Sequence, residues 1–457
     1  MSQGKPKEIS DDKNRSNLFP SVSEVKKEIS DLFDSISSRI KSFNIGHLLL
    51  ILLALHLFAM SFPNNGTGSN STGRVFDEVY YVKASQDLLN LTASNLEHPF
   101  FGKIWGAIGI YLFGSDFFGW RIFYVIIGTL AVWVFYEVAR VFFSKEKALF
   151  AAAFLGFETL FFIHTSLLLL EGPPILFGLL GFLCYFKKRY YLSAFSFGLS
   201  IISKEWGAYF VAALFLYHVY VTRRVPATRK ALGLIVGFAL ILALTVLIPL
   251  WVYDLVYKPV VSGVVWNSPL QNLQYYYDYH SSLTISASDA QNTWDHFAWG
   301  WILPPCGKLI PCVGPLPHGI QPSVYYEVTI NGDLHPIDWL GIGNLVIWYS
   351  IWAIVPVIAG KILVRKATNL DIFIGSWILC TYAPSLILSG IYHRVVYAFY
   401  FINVDPGLAL GIPMVITFIA PYSLRAQRYW LLFWLAAALV FFIVFFPIHP
   451  ADFINGS

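Results

Sequence analysis

Charged residues are scarce in this chain, and their scarcity excludes most water-soluble folds. Only 13% of its 457 residues are Asp, Glu, Lys or Arg, whereas a soluble domain carries about 25%. With 56% hydrophobic residues, 18% aromatic residues and a mean hydropathy of +0.60, too little polar surface remains for a soluble globule. The composition therefore predicts a polytopic membrane protein. The net charge of +4 is modest and the basic residues lie in short loops, so nothing indicates nucleic acid binding.

Cysteine is also rare, with four residues in the chain. Cys184 and Cys380 lie inside apolar runs, where we expect packing roles. Cys306 and Cys312 share one loop, CGKLIPC, and predict a short-range disulfide if that loop faces an oxidising exterior. A metal pair is disfavoured there, because no His or Cys repeats the spacing nearby.

The composition divides the chain into a polar tail and an apolar body. Residues 1–45 are polar, mixed in charge and poor in aromatics, and they predict a disordered cytoplasmic tail with an amphipathic stretch over Val22–Phe43. The tail is not a signal peptide, because the apolar run begins near Ile45 and lacks a small-residue cleavage site soon after. Residues 46–446 form the predicted transmembrane domain, and residues 447–457 form an external C-terminal tail.

Apolar runs of about 17 to 25 residues are long enough to cross a bilayer, and the chain has about eleven such segments. Lys and Arg fall in alternate connections, which places the N-terminus in the cytoplasm and the C-terminus outside. Tyr190–Val221 is divided into two spans, because a single span would put Arg223 and Arg224 outside. The predicted spans are Gly46–Phe62, Phe118–Phe142, Ala148–Leu168, Pro173–Phe186, Tyr190–Ile202, Gly207–Val221, Ala231–Val252, Leu340–Ala359, Ile372–Leu388, Val395–Ala420 and Tyr429–Phe446.

This topology predicts two large external loops, over residues 63–117 and 253–339. The first holds two helices that lie in the membrane interface, Asp77–Leu89 and Phe100–Phe113, the second of which is too short for a comfortable span. The second loop is rich in Trp and Tyr. Such rings suit the lipid headgroup zone, and they also suit contacts with sugars and an extended acceptor.

Polar residues collect at the external ends of different predicted spans. Carboxylates can serve as a general base toward a hydroxyl, and cations can bind a phosphate leaving group and stabilise the charge that it gains. A lipid-phosphate sugar donor needs this combination at the membrane surface. The candidates are Asp77, Glu78, His98, Lys103, Arg121, Glu171, Lys204, Glu205, His393 and Arg394.

The carboxylates have plainer interpretations as well. Asp77 could be a helix N-cap, and Glu78 could be favoured only by the helix dipole. Glu171 interrupts a long apolar run before Gly-Pro-Pro, which favours a function over a packing role.

The basic candidates also keep structural alternatives. Arg121 and Arg394 could extend to the membrane interface as snorkelling residues. Lys204 and Glu205 could form an ion pair that closes a helical turn, and His98 could be an ordinary loop residue.

Taken together, these motifs resemble those of the GT-C protein O-mannosyltransferases and, more distantly, of the lipid A aminoarabinose transferases. The resemblance covers most of Ile45–Pro421, in the order of the family. It rests on FDEVYYVK, HPFFGK, FFGWRIFYVIIGTLAVWVFYEVARVFF, LLLLEGPPILFGLL, SFGLSIISKEWGAYF, TWDHFAWGWIL, HPIDWLGIGNLVIWYSIW and HRVVYAFYFINVDPGLALGIP.

The resemblance implies an all-α GT-C bundle that takes a sugar, in this family mannose, from a polyprenyl (dolichyl) phosphate. The acceptor would be a Ser or Thr hydroxyl of an exported protein. Asp77 would be the catalytic base and Glu78 its neighbour. The residues expected to contact the donor phosphate or shape its pocket are His98, Lys103, Arg121, Glu171, Lys204, His393 and Arg394. The site would face the non-cytoplasmic side of the cell membrane or, in a eukaryote, of the endoplasmic reticulum membrane.

Several residues depart from the pattern of this family. Glu171 replaces the usual Asp, Leu345 follows Asn344 in place of Pro, and residues 403–405 replace the expected His-Tyr before Pro406. The external loop is also too short for the carbohydrate-binding (MIR) domain of eukaryotic members. The acceptor therefore stays open between a protein and a lipid or glycan. A transporter is the rival class, disfavoured because the charges cluster near one face and no paired repeat with broken spans is evident.

Metal dependence stays open in the sequence. Asp77, Glu78, Glu171 and His98 offer oxygen and nitrogen atoms that divalent cations accept, yet no compact ligand motif exists. The resemblance implies a reaction without a metal. The expected partners are a polyprenyl-phosphate-linked sugar, an exported protein and the lipid bilayer, and a homo- or heterodimer is left open.

Overall fold

The computed structural model describes residues 43–62, 73–224, 228–284, 297–303, 323–326, 329–330, 333–334 and 337–450. The chain from Ile45 onward forms one compact unit. Nearly all of the predicted tail and both Cys306 and Cys312 lie outside the described residues.

Sixteen α-helices lie in the described residues, in agreement with the predicted all-α class. They are α1 (Ile45–Ala59), α2 (Glu78–Leu89), α3 (Phe101–Phe113), α4 (Phe117–Phe142), α5 (Lys145–Gly156), α6 (Thr159–Ser166), α7 (Gly172–Phe186), α8 (Tyr190–Ser203), α9 (Gly207–Thr222), α10 (Arg229–Tyr257), α11 (Pro269–Ser282), α12 (Leu345–Trp348), α13 (Ile351–Leu363), α14 (Asn369–Gly390), α15 (Asp405–Ile419) and α16 (Leu424–Val444).

Short strands and two 3₁₀ helices lie mainly in the loops. The strands are β1 (Val260–Val261), β2 (Val264–Val265), β3 (Ser323–Tyr326), β4 (Thr329–Ile330), β5 (Asp333–Leu334), β6 (Ile337–Ile342) and β7 (Ile448–Pro450). β1 pairs with β2 and β4 with β5, and β6 pairs with β3 and β7, all antiparallel. The first 3₁₀ helix is Ala298–Ile302 and the second is Ala398–Asn403.

The described helices confirm an integral membrane protein but not the count of eleven spans. Five segments are long and apolar enough to cross a membrane, namely α4, α10, α12 with α13, α14 and α16. A sixth is added if α5 and α6, which meet at a bend of 67°, form one broken span. The other predicted spans contain shorter apolar helices of 14 to 16 residues.

Two finer predictions of helix position are confirmed. The interfacial helices expected over Asp77–Leu89 and Phe100–Phe113 match α2 and α3 to within one residue. A break within Tyr190–Val221 is also present, because α8 ends at Ser203 and α9 begins at Gly207.

Glycines allow the backbones of α3, α4 and α8 to approach closely. A Cβ atom on Gly109 would lie 2.0 Å from the carbonyl oxygen of Gly119. A Cβ atom on Gly102 would lie 2.4 Å from the carbonyl oxygen of Ser203. Only a residue without a side chain permits such distances. This packing sets the start of α3 against the end of α8, directly before Lys204.

The tryptophans of the second predicted external loop mostly pack inside the protein. Trp301 and Trp339 are fully buried, and Trp266 is 5% exposed. Trp299 is partly exposed, and Trp294 lies outside the described residues. For the three buried rings, a packing role is favoured over contact with a sugar.

Candidate active site

Glu78 and Arg121 form a fully buried ion pair that joins α2 to α4. The Oε1 atom of Glu78 accepts hydrogen bonds from Arg121 Nε at 2.8 Å and from the backbone N–H of Leu168 at 2.9 Å. Its Oε2 atom accepts from Arg121 Nη2 at 2.6 Å and from the backbone N–H of Val75 at 2.9 Å. A carboxylate has about four acceptor positions, so Glu78 has no free capacity, and its surroundings favour a positioning role.

The guanidinium of Arg121 is saturated as well. Besides the two bonds to Glu78, Nη1 donates to the carbonyls of Met60 (2.7 Å) and Phe62 (2.6 Å), and Nη2 donates to the carbonyl of Gly73 (3.3 Å). All five N–H donors of this side chain are therefore used. Arg121 does not extend to the interface, and its geometry favours shaping the site over contact with a phosphate.

Asp77, the neighbour of Glu78, has very different surroundings. It occupies the N-cap position of α2, yet its side chain makes no capping hydrogen bond within the part of the chain that the structure describes. The Tyr81 hydroxyl donates to its Oδ2 atom at 3.5 Å. Burial raises the pKa of Asp77 to about 6, with the nearby positive charge of Lys204 opposing the rise and the negative charge of Glu171 adding to it. A carboxylate with free acceptor capacity and a pKa near neutrality is suited to general-base chemistry.

Glu171 and Lys204 form a second buried ion pair beside Asp77. Glu171 Oε1 accepts from Lys204 Nζ at 2.6 Å, and Oε2 lies 2.8 Å from His164 Nδ1. Although burial opposes it, the charges of Lys204 and His164 lower the pKa of Glu171 to about 2. Lys204 Nζ also lies 4.6 Å from the ring centre of Trp206. An ammonium has three donors, and Glu171 is its one hydrogen-bond acceptor among the described residues, so Lys204 keeps donors for an anion.

Glu205 follows Lys204 in the chain but faces another cluster. The backbone at Lys204 is extended (φ −159°, ψ 139°), and neighbouring side chains on extended backbone point to opposite sides. Glu205 Oε2 lies 3.0 Å from His98 Nδ1, and Oε1 lies 3.1 Å from His280 Nε2. Although burial opposes it, these histidines hold the pKa of Glu205 well below its ordinary value. Lys204 therefore pairs with Glu171, in place of the ion pair with Glu205 that the sequence allowed.

Arg394 attaches the end of α11 to this second cluster. Its Nη2 atom lies 2.9 Å from His280 Nδ1, and Nε donates to the His280 carbonyl at 2.7 Å. Its Nη1 atom donates to the carbonyl of Val395 at 3.1 Å, and the backbone N–H of Val395 donates to Leu283 at 3.0 Å. His280 could not be predicted as a site residue, because it lies in a tyrosine-rich stretch with no motif around it. The ring-rich second loop was the one signal for it.

His98, Glu205 and His280 form the one group among the described residues that has the composition and spacing of a cation site, with donor atoms within 4.8 Å of one another. The surroundings of His280 do not suit a metal ligand. An arginine cannot accept a hydrogen bond, so Nδ1 of His280 accepts from Arg394 and Nε2 carries the proton. A metal-bound histidine instead donates from its second nitrogen to an acceptor. The group fits a hydrogen-bonded cluster better than a metal site.

Two other predicted residues take different positions. Lys103 is buried and donates to the carbonyls of Asn95 and His98, so it supports the loop that carries the His98 ring. His393 is exposed with φ of +47°, and the structure does not bring it into either cluster of described residues. The residues that the sequence offered as metal ligands do not form one group in the structure. Glu78 pairs with Arg121, and Glu171 pairs with Lys204.

The sequence model for dolichyl-phosphate-mannose-protein mannosyltransferase matches residues 97–251 of this chain. The structure is similar to that of the S. cerevisiae protein O-mannosyltransferase Pmt1-Pmt2 complex bound to the sugar donor, with a TM-score of 0.55 and 12% identity over 87% of this chain and 90% of that chain. It is also similar to the Archaeoglobus fulgidus oligosaccharyltransferase in complex with Zn and sulfate, with a TM-score of 0.52 and 15% identity over 87% of this chain and 52% of that chain. Comparison with curated proteins finds no match.

These matches define the class of protein. The fold is that of the GT-C membrane glycosyltransferases. Within that class, the resemblance to the protein O-mannosyltransferases that the motifs predict is confirmed, and the matched segment runs from the His98 loop through Lys204 and Glu205.

Proposed function

We propose that this protein is a membrane glycosyltransferase that moves a sugar, mannose, from a polyprenyl (dolichyl) phosphate to Ser or Thr hydroxyls of exported proteins. The reaction takes place on the non-cytoplasmic face of the membrane. The observation that carries the proposal is Asp77, a partly buried carboxylate with free acceptor capacity close to a saturated ion pair and to a lysine. The sequence match to dolichyl-phosphate-mannose-protein mannosyltransferases supports the choice of donor and acceptor.

Asp77 is the general base of the proposed reaction. Its carboxylate takes the proton of the acceptor hydroxyl, while the hydroxyl oxygen forms a bond to the anomeric carbon of the sugar. The bond between that carbon and the phosphate oxygen breaks, and its electron pair leaves with the lipid phosphate. A base with a pKa of about 6 is mostly ionised at neutral pH and is well matched to this transfer.

Lys204 stabilises the charge that develops on the leaving phosphate. Its remaining donors are held in place because Glu171, whose other oxygen contacts His164, fixes the ammonium from one side. Such preorganised cations act most strongly where a developing charge is shielded from water. Glu78 and Arg121 position the base, because their hydrogen bonds fix the residue directly next to Asp77.

The second cluster forms the neighbouring wall of the proposed substrate site. The ring of Tyr81, whose hydroxyl reaches Asp77, lies edge-on to the ring of His98 at 6.2 Å. We assign His98, Glu205 and Arg394 to shaping this wall and to holding α11 against it.

Substitution of Asp77 tests the proposal most directly. Asp77→Asn keeps the shape of the side chain and removes the base, so turnover should fall by about 10²- to 10⁴-fold. Binding of labelled polyprenyl-phosphate mannose should be retained. Asp87→Asn, on the same helix, is the matched control, because Asp87 pairs with the exposed Lys83 and lies outside both clusters, so the change should be tolerated. Turnover of Asp77→Asn within a few-fold of wild type would show that Asp77 is not the base.

Mass spectrometry of exported proteins tests the acceptor and the sugar. Cells that lack this protein should lose hexose from Ser and Thr residues, and the wild-type gene should restore it. If the sugar disappears instead from a lipid or a glycan, the acceptor is wrong while the transfer chemistry stands. If the purified protein does not bind the donor, the glycosyltransferase proposal itself fails.

A further inference from the structure

The β1–β2 hairpin is an apolar projection that the proposed reaction does not use. Val260 lies opposite Val265 in the antiparallel ladder, and valine is a strong strand former. The two turn residues, Ser262 and Gly263, have positive φ of +51° and +79°, as a type I′ hairpin turn requires. Residues 259–266 include no charged side chain. The sequence therefore builds a well-defined hairpin whose surface is almost entirely apolar.

Valine side chains cover both faces of this hairpin, and both faces are exposed. Residues directly opposite each other share a face, so Val260 and Val265 lie on one face, and Val261 and Val264 lie on the other. Val260 is 60% exposed, Val264 55% and Val265 51%. A two-stranded hairpin is at best marginally stable in water, and contact with a single protein surface would cover one face only. The two apolar faces together fit an apolar medium that surrounds the hairpin.

The position of the hairpin identifies that medium as the lipid bilayer. β1 begins shortly after the end of α10, a candidate membrane span in which no residue of the most apolar stretch is buried. The 29 residues of α10 measure about 43 Å, and a bilayer with its headgroup layers is about 40–45 Å thick. The end of α10 therefore lies in a headgroup layer. Val252, Leu255 and Val256 are exposed near that end, so the lipid-facing surface of α10 continues to the hairpin.

Contacts at its base fix the hairpin between α10 and α11. The backbone N–H of Trp266 donates to the carbonyl of Pro259 at 2.8 Å. The Trp266 ring is 5% exposed, and its centre lies 5.4 Å from that of Tyr275 on α11. Asn272 of α11 donates to both carboxylate oxygens of Asp254 of α10, at 2.7 Å and 2.8 Å. The hairpin is therefore held at a fixed position relative to the end of α10.

Unpaired backbone groups limit how deep the hairpin can lie. Within the part of the chain that the structure describes, its sheet has two strands, so the outer edges of β1 and β2 are unpaired. Open strand edges are excluded from the hydrocarbon core, where no water can satisfy them. We propose that the β1–β2 hairpin is a membrane anchor whose valines lie among the lipid headgroups and the adjoining parts of the acyl chains, at the end of α10. This contact does not depend on the proposed reaction.

Spin labels measure the surroundings of each face without any assay of activity. Val264→Cys and Val265→Cys are labelled one at a time, in protein whose four native cysteines are replaced by serine and that is reconstituted in lipid nanodiscs. Power-saturation EPR then compares collisions with oxygen, which concentrates in lipid, and with a water-soluble nickel chelate. Leu240→Cys in α10, at a position 56% exposed, is the lipid control. Asp278→Cys on α11 is the water control, because Asp278 is exposed and charged.

Both hairpin labels should show a ratio of oxygen to nickel collisions that exceeds the ratio at Asp278 severalfold. The ratio should stay below that at Leu240, because the open edges keep the hairpin shallow. The melting temperatures of the labelled variants should match that of the unlabelled serine-substituted protein, because both side chains are exposed. A water-like ratio at either position would overturn the proposal. A label that neither reagent reaches would overturn it as well, since another segment of the chain or a second copy would then cover that face.

Discussion

At the scale of the residue, adjacent carboxylates have opposite chemical roles because their surroundings differ. Glu78 is surrounded by donors, and its charge is fully compensated by Arg121 and two backbone N–H groups. Asp77, one residue earlier, lies near Lys204 but makes no ion pair with any described residue. From the sequence alone, both residues are catalytic candidates. The residue types alone do not distinguish their roles, because the difference arises from contacts with helices that are distant in the chain.

The pH dependence of the reaction should report the pKa of Asp77. A protonated carboxyl cannot accept the hydroxyl proton, so turnover should fall as the pH drops through about 6. Lys204→Met removes a charge that lowers this pKa and should move the acid limb to higher pH. Glu171→Gln removes a charge that raises it and should move the limb to lower pH. The measurement is the pH profile of kcat/KM, with Asp87→Asn as control. Shifts of the same sign in both variants would contradict the assignment of the limb to Asp77.

At the scale of the element, close helix contacts bring the two clusters together. The glycine contacts of α3 with α4 and with the end of α8 leave no room for a Cβ atom. They place the loop that carries His98 beside the turn that carries Lys204 and Glu205. The geometry of the site therefore depends on small residues that have no chemical function of their own.

Gly109→Ala should destabilise the protein. The added Cβ atom would meet the Gly119 carbonyl oxygen at 2.0 Å, and forced overpacking typically costs about 1–3 kcal/mol or more. Gly233→Ala in α10 is the matched control, because nothing described lies within 4 Å of the added atom. Thermal unfolding of the two variants in the same detergent measures the difference. Equal melting temperatures would show that α3 and α4 can separate without loss.

The positions of most helices could be predicted from apolar runs and the alternation of basic loops. α2 and α3 were placed within one residue, α2 because Tyr81, Ala84 and Leu88 have helical spacing, and α3 because its apolar run is too short for a span. The bend at Glu158 could not be predicted, because Ala148–Leu168 contains no Pro and is long enough for one continuous span. Contacts such as Arg121 with Glu78, or His280 with Glu205, could not be predicted, since they join residues far apart in sequence whose meeting is decided by helix packing.

At the scale of the whole molecule, the orientation of the protein in the membrane decides whether the proposed site can act on exported proteins. The basic connections predict that the loop containing Cys306 and Cys312 lies outside, on the same face as Asp77. Those cysteines lie outside the described residues, so their pairing stays a prediction.

Thiol labelling of intact cells tests this orientation. A membrane-impermeant reagent should label Cys306 and Cys312 only after reduction, because we expect them to be joined in a disulfide on an oxidising face. The double variant Cys306→Ser/Cys312→Ser is the control, and Cys184 and Cys380, which lie within α7 and α14, should remain unlabelled in it. Labelling that requires a broken membrane would place the proposed site on the wrong face.

The turn between α8 and α9 requires Lys204 and Glu205 to be consecutive residues. One extended residue sends Lys204 toward Glu171 and Glu205 toward the two histidines. One extended residue inserted between Lys204 and Glu205 would turn the Glu205 carboxylate to the side of Glu171, because alternate positions on extended backbone face opposite ways. Two negative charges would then share one lysine, His98 would lose its hydrogen bond to Glu205, and His280 would lose its contact with that carboxylate. At this turn a gap of one residue in an alignment is therefore more informative than a substitution, since one residue inserted between Lys204 and Glu205 would separate the side chains from their present partners.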